Sequence, residues 1–303
     1  MKKNKYDPLA ISRKNNIIFN IILAIIAISS LIPFIFVVII SFTDEGSLIE
    51  HGYQLIPKKL SLDAYRYIFT GAGQILTSYK NSIIITVTGV VIGLFLTSTY
   101  AYALSRKDFV FRNFFTKVAV IPMLFSGGLV STYLIVTQFL NLKDSILALI
   151  VPLLLNTFNI IVMRTFFITT IPEALIEAAK IDGANEFEIF WKVVLPISLP
   201  GLATIGLFLT ITFWNDWQNA MLYITSDSKM PIQYLLIRIQ NSTTFLSTRA
   251  GDIGAISNVA FSTLPKETLR MAIVVLTTAP IAMAYPFFQR YFIQGLTLGA
   301  VKE

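Results

Sequence analysis

The stretch Ser82–Leu104, SIIITVTGVVIGLFLTSTYAYAL, contains no charged side chain. As a helix it would rise about 35 Å at 1.5 Å per residue, enough to cross a hydrocarbon layer of about 30 Å. Five more stretches are long and apolar enough to do the same: Ile17–Phe42, Phe115–Thr137, Ile146–Phe167, Gly201–Ile224 and Met271–Phe292. Inside a bilayer no water is available to the backbone, so segments of this length satisfy their own hydrogen bonds as helices. The last contains Pro280 and Pro286, which membrane helices tolerate when neighbours re-satisfy the freed groups. The pattern predicts an all-α integral membrane protein with six transmembrane helices.

Composition agrees. Of 303 residues, 55% are hydrophobic and 14% charged, against about a quarter charged in soluble domains. The chain has no cysteine, which excludes disulfides, thiolate metal sites and cysteine nucleophiles. Its single histidine, His51, cannot form a triad or a histidine metal cluster and reads as a solvated loop residue. The net charge of +7 is attributed to membrane topology rather than to nucleic acid.

Residues 1–16 form a basic tail with Lys2, Lys3, Lys5, Arg13 and Lys14. The apolar run that follows is too long for the core of a cleaved signal peptide and has no evident small-residue cleavage site, so it is expected to stay as a signal-anchor helix. Arg106, Lys107, Arg112 and Lys117 surround the second-to-third connection, while the third-to-fourth offers only Lys143 beside Asp144. The positive-inside rule then places both termini in the cytoplasm. The expected organisation is a tail (1–16), a first helix with its outside loop (17–80), a membrane domain (81–292) and a cytoplasmic tail (293–303). The longer segments Thr43–Asn81 and Thr225–Arg270 lie outside.

The connection 168–200 falls on the cytoplasmic side and begins Thr169–Gly183, TTIPEALIEAAKIDG. Pro172 suits a first helical turn, Glu173 suits the positive helix end, and Gly183 can end the helix with a left-handed residue. Ala174, Leu175, Ala178 and Ile181 share a face at helical spacing. Asn185 followed by Glu188 has the spacing of a capping box, after which Phe187, Phe190 and Val194 form a second stripe. Pro196 and Pro200 break the chain before the next span. Two short amphipathic helices with a sharp turn result. Their apolar faces could pack on this chain or dock on another protein, and spacing does not decide between the two.

Glu177-Ala178-Ala179, Gly183 and Leu195-Pro196 resemble the EAA loop of ATP-binding cassette (ABC) importer permeases, and the similarity extends from about Asn81 to Phe292. The resemblance implies a coupling loop seated in a cleft of a separate ATPase. Glu177 would be its polar contact, Ala178 and Ala179 its close-approach surface, Asp182-Gly183 its turn and Leu195-Pro196 its end.

Phe213–Ile224 (FWNDWQNAMLYI), Pro231–Leu236 and Tyr285–Gly295 with Gly299–Lys302 resemble the MalG/LplC-type carbohydrate permeases. That resemblance implies an oligosaccharide cargo. Asp216 is too costly to face lipid. With Trp214, Asn215, Trp217 and Asn219, and with Asn156 and Asn159 in the fourth span, it offers aromatic faces and amides suited to a sugar path. The same residues also suit interfacial anchoring or interhelical bonding. Gly89 and Gly93 form a GxxxG pattern, and Ser126-Gly127-Gly128 can break the third span.

No phosphate-binding GxxxxGK[ST] sequence occurs. The chain is expected to carry no cofactor, with ATP and Mg used by a partner ATPase. The further partners implied are a second permease chain, an extracytoplasmic solute-binding protein and membrane lipid. A membrane-embedded enzyme would need convergent ionisable groups, and Asp216 alone does not supply them. A permease for amino acids, phosphate or metals is the other alternative.

Overall fold

The computed structural model describes residues 13–70, 72–249 and 267–300. The expectations for the first twelve residues of the tail, for the 250–266 part of the outside segment and for 301–303 lie outside them. The helices, in chain order, are α1 (Arg13–Ser41), α2 (Glu45–His51), α3 (Asp63–Thr70), α4 (Ala72–Ser105), α5 (Arg112–Leu124), α6 (Gly128–Leu134), α7 (Leu147–Ile150), α8 (Thr157–Thr170), α9 (Glu173–Ile181), α10 (Glu186–Glu188), α11 (Leu195–Ile197), α12 (Leu199–Trp214), α13 (Gln218–Tyr223), α14 (Ile232–Arg249) and α15 (Glu267–Ala300). Among the described residues the only β pairing is an isolated bridge between Thr43 and Leu60. Among the described residues three helices, α1, α4 and α15, are long and apolar enough to cross a membrane alone, and counting each of three bent pairs as one span gives up to six. The fold is all-α and membrane-integral.

By their contacts the described residues form two compact units, 13–70 with 267–276 and 72–249 with 277–300. In the first, α1 exposes its side chains on every face from Ile17 to Phe34, as a lipid-facing helix would. Asp44 caps α2 by accepting from the Ser47 N–H at 3.0 Å. Glu45 accepts from the Glu267 and Thr268 N–H groups at 3.0 and 2.9 Å and from the Thr268 hydroxyl at 2.6 Å. A carboxylate thus satisfies donors that the start of α15 leaves without helical partners.

In the second unit α4 is the scaffold. It begins ten residues before the expected Ser82, because the polar residues of those extra turns have partners. Gln74 donates to the Asp227 carbonyl at 2.6 Å, Asn81 to the Ser228 and Met230 carbonyls at 2.8 and 3.2 Å, and the Ser82 hydroxyl accepts from the Ile232 N–H at 2.9 Å. Further along, α4 packs on α12 and α8. A Cβ on Gly89 would lie 2.5 Å from the Phe213 ring, and one on Gly93 would lie 3.2 Å from the Leu154 carbonyl oxygen and 3.3 Å from Leu209. The GxxxG pattern is therefore the seat of α12.

Three expected spans are broken. The third bends by 118° between α5 and α6, at the expected Ser126-Gly127-Gly128, with Gly128 at φ +78°. The fourth bends by 50° between the α7 region and α8. The fifth ends at Trp214 instead of Ile224, and the chain restarts as α13 after Asn215–Trp217. The last helix runs from Glu267 to Ala300, longer than Met271–Phe292 at both ends.

The connection before α7 is anchored by Asp144, itself at φ +55°. Its carboxylate accepts from the Ser226 hydroxyl at 2.5 Å, the Ser226 and Thr225 N–H groups at 2.9 and 3.0 Å, and Lys229 Nζ at 3.0 Å. These donors, the Ser226 hydroxyl foremost, hold the Asp144 pKa well below the usual carboxylate range. A depressed carboxylate contributes stability that is present above its unfolded pKa of about 4 and is lost as pH falls through the folded value. Asp144→Ala is expected to lower the melting temperature of the detergent-solubilised protein by several degrees at pH 7, and the deficit should shrink as pH is taken well below 4. Gly89→Val should destabilise more than Gly93→Ala, by about 1–3 kcal/mol for overpacking. Phe213→Leu in the Gly89→Val background should recover part of the loss in the same melting assay.

Candidate functional site

Between α8 and α12 the chain turns back on itself as α9 to α11. Pro172, at φ −62° and ψ 135°, leads into α9, which ends at Asp182. Gly183 follows at φ +84°, a conformation that costs an L-residue about 1–2 kcal/mol. The Gly183 N–H reaches the Lys180 carbonyl and the Ala184 N–H the Ala179 carbonyl, each at 3.0 Å. The expected capping box forms, with the Glu188 N–H on Asn185 Oδ1 at 3.0 Å and the Asn185 N–H on Glu188 Oε2 at 3.2 Å. A π-helical stretch, Ile189–Val194, then leads into Leu195-Pro196.

The two stripes differ in fate. Phe190 and Val194 are buried in the core with Ile189, while Phe187 is exposed. In α9 Ile176 is buried and Ala179 half-buried. The expected stripe of Ala174, Leu175, Ala178 and Ile181 is exposed together with Glu177, and Ile181 is 86% exposed. Asp182 and Gly183 are exposed as well, as is Pro196, while Leu195 is half-buried. The structure thus gathers Glu177, Ala178, Asp182 and Gly183 on one surface, and the apolar part of that surface is not covered by this unit.

Beside α9 lie ion pairs that sequence reasoning did not foresee. Lys107 Nζ lies 2.6 Å from Glu173 Oε2, and Lys180 Nζ lies 2.6 Å from Asp108 Oδ2 and 2.7 Å from Glu186 Oε1. The Tyr102 hydroxyl donates to Glu186 Oε2 at 2.7 Å. Arg106 Nε is 3.4 Å from Asp108 Oδ1. Hydrogen bonding from Lys180 holds Asp108 below its usual pKa, Lys107 does the same for Glu173, and Asp108 followed by Glu186 raises Lys180. Asp108, Glu173 and Lys180 therefore stay charged across the neutral range. The readable signal was Glu173 and Lys180 standing two turns apart with Ile176 between them. Arg106 and Lys107 had registered only as topology charges, and Asp108 not at all.

The residues read as a sugar path are, for the most part, caps and anchors. The Asn156 side chain accepts from the Phe158 and Asn159 N–H groups at 2.8 and 3.4 Å and so caps α8. Asn159 is buried. Asp216 accepts from the Asn219 N–H at 3.1 Å and from Asn219 Nδ2 at 3.0 Å, at the start of α13. Trp214 is buried, and its indole N–H donates to the Thr277 carbonyl at 3.0 Å. Asn215 donates to the Ile211 carbonyl at 3.0 Å and accepts from Gln233 at 3.2 Å. Asn215 and Trp217 are exposed, and Asp216 and Asn219 are half-exposed. The break at 215–217 brings Asn215, Asp216, Trp217 and Asn219 together. Among the described residues no group of three or more His, Asp or Glu side chains could hold a metal.

Comparison with known proteins agrees with this architecture. Residues 89–298 match the family described as the binding-protein-dependent transport system inner membrane component. The chain is 42% identical over 280 residues to the polygalacturonan/rhamnogalacturonan transport system permease protein YtcP of Bacillus subtilis (strain 168), covering 92% of this chain and 95% of that protein. It is 38% identical to the protein LplC of the same organism, covering 90% of each. Among solved structures, a bacterial ABC transporter involved in import of the acidic polysaccharide alginate superposes with a TM-score of 0.77 at 30% identity, covering 93% of this chain and 99% of that one. With a broken-helix membrane fold, the α9–α11 turn and these matches along most of its length, the chain belongs to the family of inner membrane permease components of binding-protein-dependent ABC transport systems.

Proposed function

We propose that this chain forms half of the translocation path of an oligosaccharide importer and receives its driving force through α9. The observation that carries the coupling role is the exposed face Ala174, Leu175, Ala178 and Ile181 with Glu177 beside it. An apolar stripe with a charged neighbour on a loop outside the spans is a docking face for another protein. A separate ATPase that binds ATP and Mg is the occupant that fits the family. Glu177 supplies a polar contact, the small side chains of Ala178 and Ala179 allow close approach, and Asp182-Gly183 presents the turn. Leu195 and Pro196 end the loop before α12. Both termini then lie in the cytoplasm, a second permease chain completes the path, and an extracytoplasmic binding protein delivers the cargo.

The carbohydrate reading is supported by relatives whose names specify polygalacturonan, rhamnogalacturonan or arabinooligosaccharide transport. Of the residues proposed for the path, Asn215 and Trp217 offer exposed amide and ring surface, while Asp216 and Asn219 lie beside them. Trp214 is buried beside them in sequence, and Asn156 and Asn159 lie at the start of α8.

Two experiments test the proposal. Ile181→Asp and Glu177→Lys should each weaken ATPase co-purification by roughly tenfold, about 1.4 kcal/mol, and abolish uptake. Gly183→Pro should do the same, because its φ of +84° is closed to proline. ATPase recruitment at the unmodified level in all three variants would sink the coupling role. Separately, the importer reconstituted with its binding protein should take up oligogalacturonides and not amino acids or phosphate; the reverse selectivity would overturn the sugar assignment.

A further inference from the structure

Helix α9 has nine residues, too few to hold its shape alone in water. Among its residues only Ile176 is buried. Beneath it lies an opening of about 340 Å³ lined in part by Tyr102, Arg106, Phe167 and Ile176, so packing through Ile176 and the half-buried Ala179 leaves its direction to other contacts. Two charge pairs supply them, one at each end. Glu173, in the first turn, meets Lys107 at 2.6 Å. Lys180, in the last turn, meets Asp108 at 2.6 Å. Glu173 and Lys180 are two turns apart and share a face with Ile176, while their partners are adjacent in sequence with opposite sign. The signs also suit the helix dipole, with an anion at the N-terminus and a cation at the C-terminus. Exchanging the ends of α9 would set like charges against like, so the arrangement fixes direction as well as position.

We propose that the dipeptide Lys107-Asp108 is a two-point clasp that holds α9 in its docking position before the ATPase arrives, and that Lys107, Asp108, Glu173 and Lys180 are positioning residues for that step. A helix already held in place loses less conformational freedom when its outer face is covered, and the freedom not lost appears as affinity. Each pair is largely exposed, at 74% and 50% for Lys107 and Glu173 and 39% and 51% for Lys180 and Asp108. Such pairs contribute little to global stability, so breaking one leaves the fold intact. Glu186, the second partner of Lys180, takes the Tyr102 hydroxyl as well and ties the end of α9 to the last turn of α4. The ATPase identity rests on the docking role proposed above, whereas the position of α9 does not.

The chain has no native cysteine, so spin labels at Val110→Cys and Ile181→Cys, 89% and 86% exposed, report the distance from the α4–α5 connection to α9. This is measured in the full permease pair before ATPase is added, since Ile181 lies on the docking face. A narrow distance distribution is expected in the parent, a broad or displaced one in Lys107→Glu and in Glu173→Lys, and a narrow one again in the Lys107→Glu/Glu173→Lys double variant. ATPase binding to unlabelled permease should fall by roughly fivefold in each single variant and return in the double. Single variants as narrow as the parent, or a double no better than either single, would overturn the clasp. If the ATPase fails to bind even the unmodified chain, the docking role fails, and the distance measurement still decides the clasp.

Discussion

A helix broken within a membrane leaves backbone N–H and C=O groups that no water can reach, and each must find a partner inside the protein. That constraint organises much of the second unit. At the start of α8 Asn156 takes two N–H groups. At the restart after Trp214 Asp216 takes the Asn219 N–H. At the start of α14 the Ser82 hydroxyl takes the Ile232 N–H. Beside the α7 entry Asp144 takes the N–H groups of Thr225 and Ser226. The polar residues scattered through an apolar sequence therefore mark the points where the chain stops being a continuous helix.

The second organising element is α4. Its 34 residues correspond to a rod of about 51 Å, longer than the hydrocarbon layer. The excess serves at both ends. The first turns hold the 227–232 segment through Gln74, Asn81 and Ser82. The last turn and the loop after it hold α9 and α10 through Tyr102, Lys107 and Asp108. Between them Gly89 and Gly93 let α12 lie close. One unbroken helix thus contacts the 227–232 segment, α12 and the α9–α10 turn.

Much of this was readable in the sequence, and what was not has a physical reason. Long apolar runs identify membrane helices because length and hydropathy suffice, and the glycines at 127–128 correctly marked the break with Gly128 at positive φ. The loop was legible through Pro172, Gly183 and the Asn185–Glu188 box, since caps and turns are local. The start of α4 was missed because Gln74, Ser78 and Asn81 read as polar loop residues until partners distant in sequence are known. The break at Asn215–Trp217 was missed because Ala220–Ile224 is apolar again, so the span was carried through the polar stretch 215–219. The clasp pairs residues 66 and 72 positions apart, beyond the reach of any periodicity. The exposed stripe of α9 was legible as a stripe, but its exposure depends on which face the rest of the chain covers.

That division of α9 into two faces explains why so short a helix can serve as a contact element. A longer or more apolar helix would sink into the core and leave nothing for another protein to hold. An entirely polar one would give a docking partner no surface to bury. Here Ile176 and Ala179 secure the inner side and the charged ends set direction. The outer side keeps Leu175, Ala178 and Ile181 in reserve. Opposite charges placed over an opening, rather than tight packing, allow the helix to be held without being immobilised. Exposed ion pairs are individually weak, but two of opposite sense at fixed spacing specify one orientation. In the proposed docking, strength and orientation are separate: burial of the outer face is left to the docked complex, and the proposed clasp sets which way that face points.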